Sequence, residues 1–290
     1  MIPTRSEPAR RRLGRALTIA AALAACTPAV ARAQTNVVLR IQPHPGDTMY
    51  TTFVQDVEMI GTRNVHSVDT TMTSRMNILI LSHSLVQAND AHGTTVLAIT
   101  DSVAMTGHGT GAGAPTEALR RAMQGRQARL QIAPDGSATM LAASDDVSPE
   151  VEAVYSGMPA TLPEKSVALH GTWERSTFIP ISQQSDSTHA ATLHTIYRLD
   201  SLSSDGALAY ISIRGTISRD SAASLLSDGL RVSSAGTVVG RMSMNRRRGW
   251  WVESELTISI KSVVTPTADP SAAMRVQTRI TQSMRTTISP

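Results

Sequence analysis

Residues 250–288 alternate with a period of two, and that pattern constrains the chain more than any other feature. Over Trp250–Val264, Trp250, Val252, Leu256, Ile258, Ile260 and Val264 fall on one phase, against Glu253, Glu255, Thr257, Ser259 and Lys261 on the other. Met274–Ile288 repeats the pattern, with Met274, Val276, Ile280, Met284 and Ile288 set against Arg275, Arg279 and Arg285. Successive side chains point to opposite faces of a strand, so each segment has one wet and one buried face, the habit of antiparallel sheets. At roughly 15 residues, each is about twice the ordinary strand length, so the sheet is expected to be large and curved.

Shorter stretches of the same kind place strands at Thr48–Met59, Thr70–Leu81, Thr95–Met105, Arg129–Ile132, Ala138–Leu141, Thr172–Ile181 and Ala191–Leu199. Three more follow at Ala207–Ile217, Leu230–Val232 and Val238–Met244. Asp135-Gly136 and Asp205-Gly206 are hairpin-turn dipeptides. Short helices are expected at Thr116–Gln124, at Pro149–Met158 behind the cap Ser148, and at Ser221–Leu226 behind Asp220. The fold class is therefore mainly β (α+β), with long curved antiparallel sheets and a few short helices. Gly46–Val54 aligns with Gly171–Ile179, and the stretch Arg129–Gly136 aligns with Leu230–Gly236 as a second hairpin. This reads as a degenerate duplication. It divides the chain into a first β-rich repeat at 34–158, a connector at 159–163 and a second repeat at 164–290, each a half-barrel-like unit.

The leader supplies an address. Six arginines and one acid lie in residues 1–33, followed within that span by the apolar run Ala16–Ala25 and the A-x-A site Ala31-Arg32-Ala33. Those are the three parts of a secretory signal, with cleavage before Gln34 and release to the periplasm or exterior. Leu23-Ala24-Ala25-Cys26 also has the form of a bacterial lipobox, so an outer-membrane lipoprotein acylated at Cys26 is the alternative; sequencing the mature N-terminus separates the two. A run of about ten apolar residues is too short to span a bilayer, and no transmembrane span is expected in the mature chain. Without residues 1–33 the chain carries 21 basic and 22 acidic residues, so its pI of 9.7 belongs to the leader. No nucleic-acid partner is expected on that balance.

Few residues group in a way that does chemistry. Cys26 is the one cysteine, so thiol catalysis and a zinc ribbon are excluded from the body. His44-Pro45-Gly46-Asp47 has ligand residue types but reads better as a turn. His108–Gly113 lacks the lysine and the spacing of a phosphate loop. The acids Asp145, Asp146, Glu150 and Glu152 suit a helix N-terminus. No G-x-S-x-G or H-x-x-x-H pattern occurs. The expectation is a non-enzymatic protein with no cofactor and no metal. Two groups stand out as binding candidates. Arg246, Arg247 and Arg248 before Trp250-Trp251 could meet an anionic headgroup. Thirteen methionines outnumber nine aromatics, and Met72, Met76, Met274 and Met284 lie on apolar phases as candidate lining for an apolar ligand.

Gly46-Asp47…Tyr50, Pro134-Asp135-Gly136 and Leu162-Pro163…Gly171-Thr172-Trp173 carry a resemblance to an uncharacterised family of exported bacterial β-rich proteins, a domain of unknown function. It covers most of residues 37–288, and no functional residue carries over. By architecture alone, long strands wrapping short helices resemble the half-barrels of periplasmic LolA/LolB-like lipoprotein carriers. The reading that follows is an exported envelope protein holding a lipid-like ligand, or another envelope component, in a curved sheet. Two alternatives stay open: a structural or interaction protein with a fully packed core, and a hydrolase whose site is assembled from loops.

Overall fold

Long strands make up most of the computed structural model, which describes residues 36–65, 68–109, 120–121, 123–143, 160–179, 191–219 and 229–289. The strands are β1 (Thr48–Val65), β2 (Val68–Asp90), β3 (Gly93–Gly109), β4 (Gln127–Ile132), β5 (Ala138–Ala143) and β6 (Thr172–Ile179). They continue with β7 (Ala191–Leu202), β8 (Leu208–Arg219), β9 (Leu230–Asn245), β10 (Trp250–Pro266) and β11 (Met274–Ser289). All eleven form one sheet in the order β5-β4-β3-β2-β1-β11-β10-β9-β8-β7-β6. Sequence neighbours pair throughout, and β11 returns to pair with β1, as in an up-and-down barrel opened at one seam between β5 and β6.

Strand parity explains that seam. Every neighbouring pair is antiparallel, so across eleven strands β5 and β6 end up running in the same direction. An antiparallel cycle needs an even number of strands, and the last gap cannot close by the pairing used everywhere else. Both seam strands are short, at 6 and 8 residues, which limits the unpaired edge they expose.

At one end the gap is filled by the extended segment 36–43 and the irregular segment 160–171. Val37 bridges Val167, Ile41 N–H donates to the Pro134 carbonyl, and Thr161 and Leu162 N–H both donate to the Asp135 carbonyl. In the first segment Val37, Leu39 and Ile41 are buried while Val38, Arg40 and Gln42 are exposed. These three meet Leu162, Tyr197, Leu199, Ile211 and Met244 in the largest core cluster, with Ile132 of β4 packed against it. Because β4 and β7–β9 contact one cluster from opposite flanks of the sheet, the apolar face is the concave one. The plug also holds Trp173, which stacks on Tyr197 at 5.5 Å and donates its indole N–H to the Thr161 carbonyl at 2.9 Å.

Several expectations need correction. Leu230–Val232 and Val238–Met244 are one strand, β9, paired along its length with β10 and from Ser234 onward with β8. The small residues Ser233–Gly236 look like a turn locally, but two flanking ladders hold them extended, and tertiary pairing outweighs that weak preference. The second hairpin of the supposed duplication is therefore absent. Both halves contribute to one sheet, joined through β1 and β11, and residues 35–290 make one unit. A bulge between Trp251 and Glu253 breaks the alternation of β10, so Trp251 rather than Val252 faces Met244 on the concave side. Strands β1 to β3 run well beyond their expected ends. Of the expected helices, Arg120, Arg121 and Met123 are helical, with Gln124 N–H donating to the Arg120 carbonyl. The helices at 149–158 and 221–226 lie outside the described residues.

Candidate functional site

The concave face of β1, β2, β3, β10 and β11 is the site the fold builds. Phe53 lies opposite Ile80 and Met284, and Val57 lies opposite Met76 and Ile280. The rows continue through Ile78 opposite Met105 and Ile258 opposite Ile280. Phe53, Val57, Met76, Ile78, Ile80 and Met284 are half-buried, and none belongs to the three packed core clusters. Polar groups are few among them. Gln55 and Gln282 are paired directly across the strands, and the Thr51 and Thr286 hydroxyls hydrogen-bond at 3.1 Å. A curved apolar surface with sparse amides and hydroxyls can hold an apolar or amphiphilic molecule and fix its orientation.

All four methionines singled out from the sequence share this concave phase. Met76 and Met284 lie mid-strand, whereas Met72, opposite Gly61, and Met274, opposite Val264 and Arg63, lie at the end away from the plug. The arginine cluster sits at the plugged end, and its guanidiniums meet protein oxygens. Arg246 donates to the Gly206 carbonyl at 2.8 Å, Arg247 to the Asp205 carbonyl at 3.1 Å, and Arg248 to the buried Asp47 carboxylate at 3.3 Å. They tie the β9–β10 turn to two neighbouring turns.

His44-Pro45-Gly46-Asp47 is a turn, with Asp47 N–H donating to the His44 carbonyl. Proline then glycine, the latter at φ 92°, is the type II pattern, in which glycine alone adopts positive φ without strain. Gly107–Gly109 ends β3. Cys26, Asp145, Asp146, Glu150, Glu152, His66 and His189 lie outside the described residues. Among the described residues, no three histidine, cysteine or acid side chains converge as metal ligands. Ser176, His194 and Glu174 do line up, with Ser176 Oγ 3.1 Å from His194 Nδ1 and Glu174 3.6 Å from Nε2. They form a ladder on the outer wall between β6 and β7, open to water, with nothing to exclude solvent as nucleophilic chemistry requires.

The outer wall is charged in register. Glu253 faces Arg285 at 3.0 Å, Glu255 faces Arg241 at 2.8 Å, Glu58 faces Arg75 at 2.6 Å, and Asp56 accepts from Asn77 at 2.7 Å. Each pair is directly opposite across two strands, so the charges reinforce the register. Between these pairs the same wall exposes apolar side chains, among them Tyr50, Leu81, Phe178, Ile196, Tyr210 and Val239. No helix among the described residues is long and apolar enough to cross a membrane. Burial pushes the Tyr197 hydroxyl above its ordinary pKa, despite the opposing Arg175 charge. Burial also lowers Arg219 on the concave phase of β8. Asp205 is held below the usual carboxylate range by the Ser203 hydroxyl and the Ala207 N–H, which fix its turn.

Among solved structures, an outer membrane channel from Pseudomonas putida F1 is similar at 11% identity, over 85% of this chain and 97% of that one, with a TM-score of 0.23. The translocator domain of the autotransporter NalP from Neisseria meningitidis is similar at 9% identity, over 83% of this chain and 88% of that one, with a TM-score of 0.18. No curated protein matches the chain. Within the chain, residues 149–251, which run from the seam connection through β6 to β9 and into the start of β10, match the model of a family of unknown function (DUF6263).

Proposed function

We propose that this protein is exported and holds a lipid-like ligand, without catalysis, in the concave face of its open barrel. One observation carries the reading: Phe53, Val57, Met76, Ile78, Ile80 and Met284 form a contiguous apolar surface outside the packed cores and stay half-exposed. A folded domain buries such a surface or uses it. Methionine supports the reading, because an unbranched, polarisable side chain adapts to acyl chains of varied shape. The plug closes one end, and among the described residues the outer edges of β5 and β6 pair with no further strand. The secretory leader supports an envelope setting for such a ligand.

Titration with a fluorescent fatty acid tests the proposal. Binding is expected to saturate, and Met284→Trp, which crowds Phe53 from the opposite strand, is expected to weaken it about tenfold with the melting temperature little changed. A titration that never saturates overturns the carrier reading and leaves a structural protein.

A further inference from the structure

We propose that the concave face selects a lipid with an uncharged ester or amide linkage inside its chain, read by the side-chain amides of Gln55 and Gln282. The inference rests on the concave face being the ligand site, and it names the chemistry that the site prefers. Gln55 and Gln282 lie directly opposite each other on β1 and β11, and both are half-buried. Neither amide hydrogen-bonds to any described residue. Two other polar pairs on the same phase satisfy each other, Thr51 with Thr286 at 3.1 Å and Ser234 with Ser262 at 2.8 Å. The surroundings of the glutamines are apolar on every side. Ile78 flanks Gln55 on β2, and Leu256 flanks Gln282 on β10. Along the strands, Phe53 and Met284 are the next residues of this phase toward the plug, and Val57 and Ile280 the next away from it.

Each primary amide offers two N–H donors and a carbonyl acceptor. Solvent satisfies them while the face is open, but a chain laid across the surface displaces that solvent. Any donor or acceptor left unpaired then weakens binding, so a plain hydrocarbon is penalised here. Apolar side chains extend to both sides of the pair, so the polar group it recognises has apolar chain on either side. An ester or amide linkage meets that description: its carbonyl accepts from a glutamine N–H, and an amide linkage also donates to a glutamine carbonyl. A terminal carboxylate does not. Every concave-phase residue from Met49 to Gly61 of β1, and every residue opposite them on β2 and β11, is uncharged. An ion held at this level loses its hydration and meets no cation on these strands, a cost that exceeds what two neutral amides return. A fatty acid is therefore held by its chain, with the carboxylate left in water.

Displacement of the fluorescent fatty acid from the full-length mature protein tests the proposal. The competitors are hexyl octanoate, N-hexyloctanamide and pentadecane, matched in chain length, together with the pentadecanoate anion at alkaline pH. The ester and the amide are expected to displace the probe at roughly tenfold lower concentration than pentadecane or pentadecanoate, the effect of one to two hydrogen bonds kept or lost. Gln55→Leu/Gln282→Leu replaces the amides with apolar groups of similar size and is expected to bind pentadecane at least as tightly as the ester, with an undiminished melting temperature. Wild-type protein that takes pentadecane as well as the ester and the amide overturns the proposal whatever the variant does. A folded double variant that keeps the preference overturns it too. Pentadecanoate that competes as strongly as the ester overturns the uncharged assignment. Probe binding that never saturates removes the carrier reading and this inference with it, whereas saturable binding without the preference removes this inference alone.

Discussion

Ile258→Asp is expected to unfold the sheet, whereas Thr257→Asp, one residue away, leaves it folded. Ile258 lies on the concave phase between Val238 and Ile280, and packs against the cluster of Ala191, Ile217 and Val238. Thr257 points outward between Val239 and Thr281. A carboxylate placed among apolar side chains is poorly solvated, and the penalty of roughly 3–5 kcal/mol approaches the whole stability of a marginal domain. On the outer wall the same group remains in water and costs about 0.5 kcal/mol or less. Thermal melts of the two variants check this; equal shifts would mean that the faces are assigned the wrong way round.

Gly240→Val is expected to be comparably severe for a geometric reason. Gly240 lies on the concave phase of β9, opposite Leu256 and Ile213. A Cβ built there overlaps the Glu255 carbonyl oxygen and comes within 2.6 Å of Leu256 Cδ2 and 3.0 Å of Leu256 Cα. The clash involves backbone, so a rotamer change cannot relieve it, and β9 and β10 must separate. Gly236, four residues earlier, meets the Ser259 carbonyl and Ile260 in the same way. Glycines on one phase of a strand mark where a sheet bends tightly and neighbouring backbones approach. A loss of about 3 kcal/mol or more is expected. Val239→Thr, an exposed neighbour on the other phase, is expected to stay within about 0.5 kcal/mol. Denaturant unfolding compares the two, and a Gly240→Val variant as stable as Val239→Thr would show that the close approach at β9–β10 is not needed.

Much of the concave site was legible in the sequence. The apolar phase of β11 and the outward phase of Glu253, Glu255 and Arg285 followed from alternation, as did the concave placement of Met72, Met76, Met274 and Met284. What alternation missed lies where one strand ends and another constraint begins. Val37, Leu39 and Ile41 alternate with Val38, Arg40 and Gln42, but the segment is short and lacks a hairpin partner, so it gives no strand signal. Its extended form comes from a few hydrogen bonds to residues 134, 167 and 249. The arginine triplet at 246–248 stands out in the sequence as a candidate headgroup contact because its acceptors, at positions 47, 205 and 206, are remote in sequence.

By itself the sequence determined the class of secondary structure and the face on which each strand side chain lies. Both follow from local sterics, since β-branched residues favour extended backbone and successive side chains must point opposite ways. Asp135-Gly136 and Asp205-Gly206 likewise placed two hairpin turns, because an aspartate that accepts from the backbone two residues on makes the turn locally. Only the tertiary structure decided that Glu58 would face Arg75, that Asp47 would hold Arg248 across 201 residues, and that β11 would return to β1. Those choices depend on loop closure and on the burial of many side chains at once, which no local preference encodes. The seam is of the same kind: the count of eleven strands leaves β5 and β6 parallel, and segments 36–43 and 160–171 close the gap at one end because their apolar side chains have nowhere else to be buried.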